Sequence, residues 1–64
     1  MSAPILRYFE FAHLKAGPLR VTSEKFHRLA CDLDESLADG PEKSTSLRKL
    51  LEAKDAAVRA ALDA

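Results

Sequence analysis

The stretch STSLRKLLEAKDAAVRAALDA, residues 44–64, contains neither glycine nor proline and is dominated by Ala, Leu, Lys, Arg and Glu. These are strong helix formers, so the composition predicts one long helix. Its apolar residues fall along two lines rather than one stripe. Leu47, Leu51, Val58 and Leu62 recur along the first, and Leu50, Ala53, Ala57, Ala60 and Ala61 along the second. A short chain has little surface of its own to cover both. One line is expected to pack within the chain and the other against further copies of it. Lys54 interrupts the apolar pattern, and either snorkels outward or points into a subunit junction.

Upstream, a first helix is marked at both ends. Thr22 suits an N-cap, Glu24 complements the positive helix end, and Val21 and Phe26 stand at hydrophobic-staple spacing. A narrow seam follows as Phe26, Leu29, Ala30, Leu33 and Leu37. Asp39-Gly40-Pro41 ends it, with Gly40 suited to a left-handed cap and Pro41 blocking continuation. Glu42 and the hydroxyls of Ser44, Thr45 and Ser46 open the last helix. So short a link returns the two helices antiparallel. The register pairs Leu37 with Leu47, Leu33 with Leu51, Leu29 and Ala30 with Lys54, and Phe26 with Val58.

Before the helices, ILRYFEFAHL (residues 5–14) holds Tyr8, Phe9 and Phe11. It reads as an extended arm or a short helical turn docked through its aromatics, either completing a small core or offering a stacking platform to a planar ligand. Gly17-Pro18 marks a connector. The expected fold class is all-α: an antiparallel helical hairpin preceded by an aromatic N-terminal arm, assembling into a homo-oligomer. Residues 1–21 form arm and connector and residues 22–64 the hairpin, within a single domain.

With 64 residues, a lone monomer would be marginal. Cys31 is the only cysteine, which excludes an internal disulfide, and with His13 and His27 it matches zinc-site spacing poorly. Oligomerisation is the remaining route to stability. Net charge is zero, with an acidic centre (Asp32, Asp34, Glu35, Asp39, Glu42) between basic flanks, so no face carries the excess that long nucleic acid demands. No apolar run is long enough to span a membrane and no signal-peptide core is present; the single thiol fits a reducing cytoplasm.

Catalytic chemistry finds little support. Cys31 falls beside the helix seam and reads as a small buried hydrophobe, while Asp32, Asp34 and Glu35 are neighbours in sequence and read as solvated surface. There is no phosphate-cradling glycine loop and no nucleophile elbow, so the chain is expected to be no enzyme and to need no metal or cofactor. Binding is better supported. His27 and Arg28 lie near the start of the first helix, at the end that faces Arg59 across the hairpin, with the aromatic arm close by. Aromatic faces beside cations suit a nucleotide. The plainer reading pairs Asp55 with Arg59 and Arg48 with Glu52 as surface decoration.

The segments FEFAHL (9–14), LRVTSEKFHRLA (19–30) and above all GPEKSTSLRKLLEAKDAAVRAAL (40–62) resemble the viral cyclic-nucleotide sponges, short phage-associated helical hairpin proteins that counter CBASS and Thoeris immunity. The resemblance covers Phe9 to Leu62 and implies a non-catalytic homohexamer. It implies binding of cyclic di- or trinucleotides, or cyclic ADP-ribose isomers, in the host cytoplasm. By this resemblance Phe11 takes the place of a base-stacking tyrosine. His27 stands where the better-known members carry a phosphate-binding lysine, with Lys25 and Arg28 as neighbours. Arg59-Ala60 matches the arginine–alanine pair of a cyclic-trinucleotide site. The alternative is a small helical adaptor that binds a host or phage protein through its exposed apolar face.

Overall fold

The computed structural model describes residues 4–15 and 17–63. A short 3-10 helix, Pro4–Phe9, precedes two α-helices, α1 (Pro18–Ser36) and α2 (Pro41–Asp63). The molecule measures 36 × 19 × 15 Å, and α2 alone, with 23 residues, is about 34 Å long. The two helices therefore lie side by side, and the 3-10 segment packs on both.

Both helices open on a Gly-Pro pair. Proline at the first position loses nothing by lacking an N–H, because that donor has no partner inside the helix. Gly17 precedes Pro18 at φ 135°, a conformation that favours glycine, and its carbonyl accepts from Val21 N at 3.0 Å. The cap is thus made by backbone at Gly17, one turn before the expected Thr22. Thr22 lies inside α1, and Val21 is half exposed instead of stapling to Phe26. Gly40 likewise differs from its expected role. The only positive-φ glycine among the described residues is Gly17, and α1 ends at Leu37 in extended backbone. Gly40 starts α2, its carbonyl accepting from Ser44 N at 3.1 Å.

Phe9 and Ala30 are fully buried and Leu47 is 1 % exposed; Ile5, Leu6, Phe26, Leu33, Leu50 and Leu51 pack around them. The smallest of these, Ala30, sits mid-helix in the same cluster as the largest, the Phe9 ring. Two expected seam residues, Leu29 and Leu37, are exposed instead. Leu37 lies beyond the last turn of α1. Leu29 falls about 100° from Ala30 around the helix, on its outer side.

Members of both apolar lines of α2 share one inward face, while Ala53, Ala60 and Leu62 are exposed. Lys43, Leu47, Leu50, Lys54, Val58 and Ala61 follow a four-three spacing and are all buried or half-buried. Leu50, expected at a neighbouring subunit, packs against the chain's own core. Two positions of this inward face are lysines, and each ends on a carbonyl oxygen. Lys43 Nζ donates to Asp34 O at 2.8 Å and lies 3.1 Å from Asp34 Oδ1 and 2.9 Å from Asp39 Oδ1. The Lys43 and Asp34 side chains are 7 % and 8 % exposed, so Asp34 is no solvated surface residue. A cation thereby meets the C-terminal carbonyls of α1 where the helix dipole favours it. At the other end, Lys54 Nζ donates to Tyr8 O at 3.0 Å, tying the 3-10 segment to α2.

Candidate ligand-binding surface

The chain leaves the 3-10 helix through a turn closed by Leu14 N donating to Phe11 O at 3.0 Å. With Phe9 anchored in the core, this turn holds Phe11 half-buried against α1. Its ring meets His27 edge-on, with centroids 5.1 Å apart and planes at 64°. Arg20, seven residues before His27 and so on the same helical face, places its guanidinium 5.7 Å from the Phe11 centroid. An aromatic ring, an imidazole and a guanidinium thus share one face of α1. Arg20 is the member that sequence reasoning missed. Its i, i+7 relation to His27 was the available signal.

Lys25 and Arg28 stand elsewhere on α1. Together with Val21 and Glu24 they line a surface depression of about 210 Å³. Arg28 is bound to Glu24 at 2.9 Å. Lys25, two residues before His27, projects about 160° away from it around the helix. Within one chain, Lys25 cannot share a ligand with the Phe11–His27 pair.

Arg59 and Ala60 lie exposed near the C-terminal end of α2. Neither of the expected pairs, Asp55–Arg59 or Arg48–Glu52, forms. Lys49–Glu52 at 3.7 Å and Lys54–Asp55 at 3.9 Å form instead, so Arg59 has no ion-pair partner among the described residues. No hydrogen bond, ion pair or ring contact joins it to Phe11 or His27 in one chain. Tyr8, also exposed, carries the Arg7 guanidinium 4.9 Å from its ring and accepts a hydrogen bond from Arg7 Nη2 at 2.9 Å.

Behind the Phe11 contact, His27 Nε2 lies 3.6 Å from Cys31 Sγ. Burial first, then the carboxylates of Glu35, Asp34, Asp32 and Glu10, push the Cys31 thiol pKa up, which makes it a poor nucleophile. Ser23 Oγ and His27 Nδ1 are buried and unpartnered. Among the described residues no helix is long and apolar enough to cross a membrane. No family model, curated protein or solved structure matches the chain.

Proposed function

We propose that the chain is a non-catalytic sponge that sequesters cyclic oligonucleotide messengers, cyclic di- or trinucleotides or cyclic ADP-ribose isomers, and so blunts CBASS- or Thoeris-type defence in the host cytoplasm. The observation that carries this reading is the Phe11–His27–Arg20 group, where an aromatic face stands beside a cation on a helix anchored by the core. Such a group stacks on a base while the cation meets a phosphate. The 210 Å³ depression elsewhere on α1, lined by Val21, Glu24, Lys25 and Arg28, is smaller than the ~300–1,000 Å³ of ordinary ligand pockets. Enclosure of a cyclic nucleotide therefore calls for a second copy, which agrees with the homohexamer that the sponge resemblance implies. In that assembly Lys25, Arg28 and Arg59-Ala60 of one copy would serve a ligand held by the next.

Titration calorimetry against a panel of cyclic di- and trinucleotides tests the reading, with light scattering for mass. Micromolar or tighter binding by a particle six times the 7.0 kDa chain is expected. A monomer, or no binding to any member of the panel, would remove it. Arg59→Ala should weaken cyclic-trinucleotide binding with the fold intact, because Arg59 is exposed and unpaired; unchanged affinity would discredit that site.

A second reading, a helical adaptor for a host or phage protein, is favoured by exposed Leu29, Leu37 and Leu62, the last 67 % exposed. Specific capture of a partner together with an empty nucleotide screen would select it.

A further inference from the structure

Arg20 carries a charge that the fold leaves uncompensated. It is the third residue of α1, and the first turn of that helix holds no acidic side chain. The helix dipole disfavours a cation there. Glu24, four residues on, stands at ion-pair spacing, but it is bound to Arg28 at 2.9 Å. Among the described residues Arg20 makes no hydrogen bond or ion pair. Its contact is the Phe11 ring, with the guanidinium carbon over the ring at 5.7 Å from the centroid. That lies within the ~6 Å over which an aromatic face holds a cation.

A base stacked on this face competes with the guanidinium for it. A planar group sandwiched between two others needs about 3.5 Å on each side, roughly 7 Å in all. At 5.7 Å the guanidinium leaves less than that, so a base on this face must take its place. We propose that Arg20 gates the Phe11 surface. In the free protein it covers the ring, and a phosphate on the incoming base draws it off and accepts its N–H groups. The inference rests on the nucleotide reading of the Phe11–His27–Arg20 group and adds the chemistry the ligand must have: a base joined to a phosphate, as against a free base or nucleoside. It also assigns the phosphate to Arg20, where the sponge resemblance would put it at His27.

The selectivity comes from what replaces the lost contact. An uncharged nucleoside gains stacking on Phe11 but breaks the cation–ring contact and returns Arg20 to water. A phosphate-bearing ligand gains the same stacking and gives the guanidinium a bidentate, charge-assisted partner. Arg20 is half-buried and no bond fixes its head group, so the exchange needs side-chain rotation alone. The ring itself is held from other sides, edge-on by His27 at 5.1 Å and through the chain by buried Phe9.

Three probes test the gate by calorimetry on the parent chain and on Arg20→Gln: adenosine, adenosine monophosphate and cyclic di-adenosine monophosphate. The variant should keep or slightly raise its melting temperature, because no hydrogen bond is lost and a cation leaves the first helical turn. It should bind adenosine about two- to fivefold more tightly than the parent, since the ring is uncovered. It should bind the monophosphate about tenfold more weakly or worse. Opposite signs are the signature, because a merely structural role for Arg20 would move both affinities the same way. Changes of one sign, or an unchanged adenosine affinity, would overturn the gate. Equal binding of the cyclic probe by parent and variant would overturn the gate and leave the sponge reading standing. The opposite-sign signature with no binding of any cyclic nucleotide would remove the sponge reading and leave the gate. Binding of no probe by either protein would overturn both.

Discussion

Replacing Phe9 by alanine should nearly unfold the molecule. Phe9 is 0 % exposed and is the one residue of the 3-10 helix fully buried in the core, where Ile5 and Leu6 beside it are only half-buried. Truncating a buried phenylalanine removes its transfer energy and leaves a cavity, about 3–5 kcal/mol together. At roughly 0.05–0.15 kcal/mol per residue, a 64-residue chain has about 3–10 kcal/mol to lose. Each kcal/mol moves the melting temperature of a domain this size by about 4–8 °C, so a fall of at least ~12 °C is expected. Circular dichroism at fixed protein concentration measures it, with Phe9→Leu as a milder control. Phe9→Ala should also release Phe11 from His27, seen as loss of the ring-current shift on the imidazole protons. A melting temperature lowered by less than ~4 °C would refute the reasoning, because the N-terminal segment would then contribute no core.

The Lys43 cluster predicts a stability plateau bounded on both sides. A hydrogen bond from Lys43, then its charge, holds the Asp39 carboxyl below the usual carboxylate range, and the same bond raises the Lys43 pKa. The Asp39 contribution is present above its unfolded value of about 4 and lost as pH falls through the lower folded value. That of Lys43 is present below about 10.4 and lost as pH rises through the higher folded value. Lys43→Met should flatten both limbs of melting temperature against pH; unchanged limbs would contradict the assignment. Phe11→Ala should weaken cyclic-nucleotide binding by about 1–3 kcal/mol per stacked base in calorimetry, with equal affinity ruling out stacking. Lys54→Met should lower stability by about 1 kcal/mol in urea melts through loss of the Tyr8 carbonyl bond, and no change would mean that water replaces it fully.

The two helices and their turn were legible in the sequence because each rests on local rules: propensity, seam spacing and a short link. The helix starts were not. Gly17-Pro18 reads as a connector and Gly40-Pro41 as a terminator. A glycine before proline fits the end of one element as well as the start of the next, and only tertiary packing decides between them. The polar members of the inner face were equally hidden. Lys43, Asp34 and Ser23 belong to residue types that are mostly exposed, and nothing in their spacing marks a buried set. Arg20 was missed because it sits in the stretch read as connector, where no helical face is assigned.

The inward lysines explain why the reading of residues 44–64 as two apolar lines divided the inward face, placing Leu50 apart from Leu47. A face written as Lys43, Leu47, Leu50, Lys54, Val58 and Ala61 scores as broken on hydropathy, so Leu47 and Leu50 were placed on different lines. Their spacing of three is helical and puts them side by side. The pattern closes once a lysine is allowed inward wherever a carbonyl waits at the end of its stem: Asp34 O for Lys43 and Tyr8 O for Lys54. The stems cover apolar surface while the ammonium groups bind the two ends of the fold. The hairpin turn is fastened by one lysine and the aromatic segment by the other, with the Phe9, Ala30 and Leu47 core between them. Phe11, three residues along the chain from the Lys54 anchor at Tyr8 and two from the Phe9 ring, inherits its position on α1 from both. The geometry of the candidate binding surface is therefore a consequence of where α2 spends its two inward charges.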